Sequence, residues 1–307
     1  MTDTKASWQP SRGIELVAGT PAGGGQDRPA RALIGVLQSQ HLIDQPISLI
    51  NIPGRGGGNA WDHLATRPGD AHILAINSPT IISNTLLGIS PLAYGDLTPI
   101  ANLYVEPIAF FVRVDSSLRD ARDLLTRLSD AASLRIALAT AIGNSNHIAL
   151  AKVTEHAGGA VKALPIDVFD SARFAIAHVI DGKAELAVVT AVSGVPELKD
   201  EAIRCIAVSA PSRLTGLFAA SPTWLELGVA CDIGMWRGVI AAPGIDAAAR
   251  GFWEDKLAAA MRSAEWQAEL ARQYWTSTFV VGEDLAKFLA DETALTAKVL
   301  GDLGLRD

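Results

Sequence analysis

Cysteine is scarce in this chain: Cys205 and Cys231 are the two among 307 residues. Neither stands in a CxxC pair, and no His/Cys spacing suits a zinc site. His41, His63, His72, His156 and His178 are scattered and lack HExxH spacing, so no metal is expected. The two thiols read as buried, with a disulfide as the alternative in an oxidising compartment. Charge is also sparse, at 19% of residues with a net value of -7 and no basic run. That argues against nucleic acid as the main partner and leaves room for a local site for a small anion. No apolar run reaches membrane length, since the uncharged stretch 73–94 is broken by Asn77, Pro79, Asn84, Gly88 and Pro91. Residues 1–10 lack the apolar centre of a secretory leader. The chain therefore reads as soluble, either cytoplasmic or a mature form with its leader removed. No Pro/Ser linker and no solenoid repeat divides it.

What the chain does carry is apolar mass and clustered glycine. Hydrophobic residues make up 49% of it, enough for a large core. The length suits about two domains at roughly 150 residues each. Residues 14–18 read as a strand, followed by Thr20-Pro21-Ala22-Gly23-Gly24-Gly25-Gln26-Asp27-Arg28-Pro29-Ala30-Arg31. Ala30, Leu33, Ile34 and Leu37 then recur at helical spacing. Asp27 stands where an N-cap belongs, and Pro29 sits just inside the helix. A strand, a glycine loop and a helix N-terminus form an anion site, because orphan N–H groups and the helix dipole point the same way.

The design recurs. Residues 47–51 read as a strand, Ile52-Pro53-Gly54-Arg55-Gly56-Gly57-Gly58 as the loop, and Asn59 as a cap for a helix through Trp61, Leu64 and Ala65. A third strand at 73–76 ends in Asn77-Ser78-Pro79-Thr80. Ligands of open α/β sheets gather at such strand ends, and this convergence suits a carboxylate or a phosphate. Further along, strands are expected at 100–114 (interrupted by Glu106-Pro107), 135–140, 161–166, 186–190, 203–209, 235–242 and 276–281. Helices are expected at 118–128, 146–157, 171–180, 246–262, 264–274 and 283–300. The alternation implies an α/β fold with mostly parallel sheets.

Four of these motifs together resemble the tripartite tricarboxylate transporter substrate-binding family, the Bug-type periplasmic solute receptors. Pro21 to Asp27 with Ala30-Arg31 is similar to the family's first loop. Asn51-Ile52-Pro53-Gly54-Arg55-Gly56-Gly57 is similar to its second. Gly143-Asn144-Ser145-Asn146-His147 and Trp236-Arg237-Gly238-Val239 with Ala242-Pro243 match a later loop and a return strand. The resemblance covers about 14–303. It implies a two-lobed clamshell like other periplasmic binding proteins, each lobe a mostly parallel sheet flanked by helices. Lobe 1 would take 1–105 and 235–307, and lobe 2 would take 106–234. It further implies a receptor without catalysis or cofactor. Such a receptor holds a small carboxylate at the first two loops, closes lobe 2 over it, and delivers it to membrane permease subunits. A monomer and a periplasmic location are expected on the same grounds. The sequence departs from the family at Arg55, at Ala60-Trp61 and at Phe169-Asp170-Ser171, which stands in place of a Tyr-x-Gly motif.

The expected ligand contacts are Ala22, Gly23, Gly24, Gly25, Asp27, Pro53, Gly54, Arg55, Gly56, Gly57, Asn77 and Ser78 in lobe 1. Those in lobe 2 are Ser145, Asn146, His147, Phe169, Ser171 and Ser193, with Trp236 on the return strand. Some carry a plainer reading beside this one. Asp27 also reads as a plain cap, His147 as a first-turn residue and Trp236 as core. Arg55 is either a solvent-facing side chain or a bidentate grip on a second carboxylate. The rival class is an α/β enzyme or sensor for a phosphate or carboxylate ligand. The motifs disfavour it: Gly23-x-Gly25 is followed by Arg28 where the dinucleotide fingerprint needs glycine, and neither GxxxxGK[ST] nor GxSxG occurs.

Overall fold

The structure, a computed structural model, describes residues 8–306. In chain order its elements are β1 (Ile14–Ala18), α1 (Asp27–Ser39), β2 (Ile47–Asn51), α2 (Gly58–Ala65), β3 (Ile73–Asn77), α3 (Thr80–Leu86), β4 (Thr98–Arg113), α4 (Ala121–Leu128), β5 (Ile136–Ala139) and α5 (Ser145–His156). They continue with β6 (Ile166–Phe169), α6 (Ala172–Ile180), β7 (Leu186–Thr190), α7 (Val195–Lys199), β8 (Ile203–Ser209), β9 (Gly234–Ala241), α8 (Ala247–Arg262), α9 (Ala264–Arg272), β10 (Thr276–Val281) and α10 (Gly282–Asp302). The chain forms two compact units. Unit 1 holds the chain through Tyr104, then Trp236–Gln273 and Ser277–Ala294. Unit 2 holds Val105–Met235, Tyr274–Thr276 and the chain from Leu295 on.

Unit 1 is a sheet in the order β2-β1-β3-β9-β4, with β1 parallel to both β2 and β3 and β9 antiparallel to β3. β3 is buried along its whole length, as a strand covered on both faces must be. The outer strand β2 is only partly covered. α1 turns Ala30, Leu33, Val36 and Leu37 inward at helical spacing. On α8, the buried Trp253 donates from Nε1 to the Ala71 carbonyl at 2.9 Å, tying the helix to the start of β3.

Unit 2 carries β7-β5-β6 in parallel, with β4 antiparallel to β7 and β8. Its core packs Phe110 edge-on against Trp224, with ring centroids 5.0 Å apart, among Leu124, Leu138, Leu150 and Val188. α4 starts at Ala121 because the Asp120 carboxylate accepts from the amides of Arg122 and Asp123. The last turns of α10 belong here, since Val299 and Leu303 bury against Ile148 and Ala151 of α5.

Two expectations are corrected. β4 is uninterrupted through Glu106-Pro107. Its ladders with β7 and β8 begin at Ile108, so neither asks Pro107 for the N–H it lacks. The strand expected at 161–166 is a tight turn at Val161–Ala163, and the strand proper is Ile166–Phe169. The cysteines are free thiols. Burial pushes Cys205 up to about 12, and burial also raises Cys231. No helix among the described residues is long and apolar enough to cross a membrane.

The Phe110–Trp224 pair generates a stability prediction. Phe110→Ala leaves a cavity that the close-packed ring of Trp224 cannot fill. It is expected to lower unfolding stability by about 3–5 kcal/mol, read as a lower urea midpoint.

Candidate functional site

In unit 1 the C-terminal ends of the parallel strands β2, β1 and β3 lie side by side, and each opens into a loop made of small residues. The first two loops touch through backbone. A Cβ placed on Gly19 would lie 2.4 Å from the Cα of Gly57, so neither position tolerates a side chain without movement. The buried Gln26 amide locks this contact. Its Oε1 accepts from the Gly19 amide at 2.8 Å and its Nε2 donates to the Gly56 carbonyl at 3.3 Å. Trp61, whose Nε1 donates to the Ile76 carbonyl, fills the space behind Gly57.

Asp27 is buried beside this lock, but it does not cap α1. Gln26 occupies the cap position, and the Thr20 hydroxyl accepts from the amides of both Gln26 and Asp27 at 3.2 Å. The Asp27 carboxylate instead accepts from the Gly23 amide (2.8 Å), from Arg31 Nε (2.8 Å) and Nη2 (3.0 Å), and from Asn51 Nδ2 (2.9 Å). Asn51 also donates to the Thr20 carbonyl at 2.8 Å, so Asp27 and Asn51 clamp loop one to loop two a second time. Burial alone would raise the Asp27 pKa. Hydrogen bonds from Arg31, Gly23 and Asn51 outweigh it and hold the carboxyl below its ordinary value.

The first-turn amides are therefore already used. Thr20 takes two at α1 and the Gly24 carbonyl takes that of Arg28, while the Gly54 and Arg55 carbonyls take those of Gly57 and Gly58 at α2. Among the described residues, the loop amides with no protein acceptor are those of Thr20, Ala22 and Gly25 on loop one and of Gly54, Arg55 and Gly56 on loop two. An anion here would be held by loop N–H groups, with the helix dipoles behind them. Asn77 accepts from the Ser78 amide at 2.8 Å, and the fully buried Ser78 hydroxyl has no hydrogen-bond partner among the described residues. Pro53 and Gly54 lie exposed at the outer bend of loop two, and Gly24 closes loop one by donating to the Pro21 carbonyl.

Unit 2 gathers its own polar set at the ends of β5, β6 and β7. Thr140 holds a positive φ of 73°, uncommon for a β-branched residue. Asn144 pins it by donating to the Ala139 carbonyl and the Thr140 hydroxyl, and caps α5 by accepting from the His147 amide. Ser145 and Asn146 lie buried in the first turn of α5. Asn146 Nδ2 donates to the Ala139 carbonyl at 3.4 Å, while its buried Oδ1 and the Ser171 hydroxyl at the start of α6 have no hydrogen-bond partner among the described residues. Burial lowers the His147 pKa to about 4, and Nδ1 accepts from the Gly143 amide at 3.0 Å. His147 is thus neutral near pH 7 and braces the loop rather than supplying a cation. Phe169 stacks at a tilt on His178, and the Ser193 hydroxyl shares a 2.9 Å hydrogen bond with Thr190.

Two aspects of the expected set change. The Arg55 guanidinium pairs with Asp62 and donates from Nε to Asn59 Oδ1 at 2.9 Å, so it is held along α2 rather than free for a second carboxylate. Asn59, expected to cap α2, lies inside it and donates to the Pro53 carbonyl. Trp236 is core: it donates to the half-buried Glu292 carboxylate at 2.9 Å and packs edge-on against Phe288. Sequence reasoning passed over Gln26, Thr20 and Arg237. The first two are ordinary loop residues whose roles depend on a second loop. The signal for Arg237 was a charge inside an otherwise apolar strand. No cluster of three or more His, Cys, Asp or Glu side chains among the described residues could hold a metal ion.

A family model described as the tripartite tricarboxylate transporter family receptor matches residues 34–305. Protein BugT of Bordetella pertussis (strain Tohama I) is 24% identical over 307 residues, which cover 98% of this chain and 92% of that protein. The solved structure of R. palustris Rpa4515 with adipate is 22% identical with a TM-score of 0.85, covering 96% of this chain and 98% of that one. MatC (Rpa3494) from Rhodopseudomonas palustris with bound malate is 20% identical with a TM-score of 0.77, covering 95% and 99%. At these identities the solved structures speak for the fold.

The Asp27 clamp generates a pH prediction. Its lowered pKa means that ionised Asp27 stabilises the fold fully above the ordinary value of 3.8, and that this contribution fades as pH falls through the folded value. Asp27→Asn is expected to cost roughly 1.5–3 kcal/mol near neutral pH. The gap from wild type should narrow in urea unfolding series taken below about pH 4. A gap that stays constant with pH would mean the carboxylate charge is not what holds the loops.

Proposed function

Because the chain belongs to the tripartite tricarboxylate transporter receptor family, we propose that it captures a small organic acid by its carboxylate at the two glycine loops of unit 1 and delivers it to membrane permease subunits. The observation that carries this reading is the pair of loops locked by Gln26, with amides including those of Ala22, Gly25, Arg55 and Gly56 left without an acceptor among the described residues. A carboxylate offers about four lone-pair sites, and amides fixed in advance bind it with little ordering cost. The donors are mostly backbone, so the site suits capture without turnover. Adipate and malate, bound in the two R. palustris structures, make small dicarboxylates the first compounds to test. In unit 2, Ser145, Asn146 and Ser171 form a polar set of their own, where the Asn146 Oδ1 calls for a hydrogen-bond donor. A receptor of this kind works outside the cytoplasmic membrane, where it meets its permease.

The test is a calorimetric panel of mono- and dicarboxylates, hydroxy acids, aromatic acids and amino acids, with nucleotides and inorganic phosphate as controls. Saturable binding of an acid that is recovered unchanged is expected. Binding of a nucleotide with no acid bound would overturn the reading. For the acid that binds, Gln26→Ala, which removes the side chain bonded to both loops, is expected to weaken affinity by roughly 0.5–1.5 kcal/mol, the net worth of a neutral hydrogen bond.

A further inference from the structure

Residues 8–12 lead into β1 and are tied down beside the start of β3, at the ends of these strands opposite the glycine loops. Three attachments hold them. The Trp8 ring sits among those of His72, Phe252 and Trp253, with centroids 5.3, 5.1 and 6.2 Å away. The Arg12 guanidinium donates to both carboxylate oxygens of Asp70 at 2.7 Å. The Ser11 amide donates to Nε2 of His72 at 3.1 Å.

The last bond fixes the state of the imidazole. A backbone N–H only donates, so Nε2 must present a lone pair. Neutral His72 then carries its proton on Nδ1, which lies 3.3 Å from Asp70 Oδ1. Burial alone would raise the Asp70 pKa, but hydrogen bonds from the His72 amide and from Arg12 outweigh it and hold the carboxyl below its ordinary value. Asp70 therefore stays ionised where imidazole titrates. A second proton on His72 leaves the Asp70 contact in place and breaks the other. Nε2 gains a hydrogen aimed at the Ser11 N–H, donor against donor. The Ser11 hydroxyl, 3.5 Å from Nε2, accepts that hydrogen well only after the chain has shifted. The other charges at this corner are the Arg67–Glu15 pair, with the Glu15 amide donating to the His72 carbonyl, and Lys256, whose ammonium lies 5.3 Å from the Phe252 ring centre. Neither bonds to the Ser11 amide.

We propose that residues 8–12 form a pH-sensitive strap, docked on unit 1 while His72 is neutral and loosened from Trp8 to Ser11 once His72 is doubly protonated. Docking is complete well above the ordinary imidazole value of about 6.5 and fades as pH falls through that range. Arg12 remains on Asp70 throughout, so the loosening stops there and β1 stays in the sheet.

The test is protection of the Ser11 amide from exchange with water, followed by NMR on 15N-labelled protein at about pH 8 and about pH 5. Rates are divided by those of an unstructured peptide at the same pH. In wild type, protection is expected to fall about 3- to 10-fold between the two, the worth of one hydrogen bond. His72→Gln sets an amide in place of Nε2 that accepts and does not titrate, so its protection should hold at both. His72→Asn is too short to reach Ser11 and should show the low value at both. Constant protection in wild type overturns the proposal. So does an equal fall in His72→Gln, which would assign the pH response to another group, or full protection in His72→Asn. Should the variants misfold, the ring 15N shifts of His72 in wild type at about pH 8 decide. A proton on Nδ1 is expected, and a proton on Nε2 overturns the proposal.

Discussion

The site depends on one contact, the approach of backbone to backbone between Gly19 and Gly57. Two loops that end neighbouring parallel strands would ordinarily be kept apart by their side chains. Glycine at both positions removes that obstacle, and the Gln26 amide then bonds to each loop at once. A loop held by one neighbour can drift, whereas one held by backbone contact, Gln26 and the Asp27–Asn51 clamp keeps its free amides in fixed directions. That rigidity is what makes amides useful to a ligand, because ordering them at the moment of binding would offset much of the affinity gained.

The distribution of satisfied and unsatisfied groups follows. Every polar side chain that builds the loops has its bonds inside the protein: Thr20 at α1, Gln26 between loops, and Asp27 with Asn51 and Arg31. The unclaimed donors are backbone N–H groups, and the unclaimed side-chain group is the Ser78 hydroxyl. A buried hydroxyl without a partner costs on the order of 1–3 kcal/mol. It persists in a rigid frame only if something else gains from it. At the strand ends of unit 2, the orphan groups among the described residues include the side-chain atoms Asn146 Oδ1 and Ser171 Oγ, with the strained Thr140 at the end of β5. Unit 1 thus offers mainly backbone groups, which any sequence with the same glycines could offer. The groups of unit 2 depend on which side chains stand there.

The strands were legible wherever apolar runs met turn residues. The segments 14–18, 47–51 and 276–281 lie where alternation and glycine punctuation put them. The glycine loops were legible because so few conformations need three glycines in a row. Helix starts were harder. Asp27 and Asn59 both look like caps one residue before an apolar stripe, yet each is drawn away by a partner in the second loop or the strand that leads into it, Asn51 for Asp27 and Pro53 for Asn59. Local capping rules weigh a residue against its own helix, and these residues are decided by the second loop. Glu106-Pro107 misled in the same way, since a proline breaks a strand only when a neighbour needs its N–H.

The two arginines show where reading along the chain stops working. Arg55 stands between glycines in the middle of a ligand loop and looks like the natural cation of the site. Its backbone φ of 49° and the spacing to Asn59 and Asp62 on the following helix instead swing the guanidinium along α2, where charge and hydrogen bonds receive it at the surface. Arg237 lies more than 200 residues from Gly25 in the chain and carries no motif of its own. The antiparallel pairing of β9 with β3 brings it to the level of Ser78, and strand alternation turns it toward loop one. A charge is legible in sequence as a chemical type. Its address is set by register, because a slip of one residue would send Arg237 to the face that Trp236 occupies and leave the glycine loop facing an apolar ring.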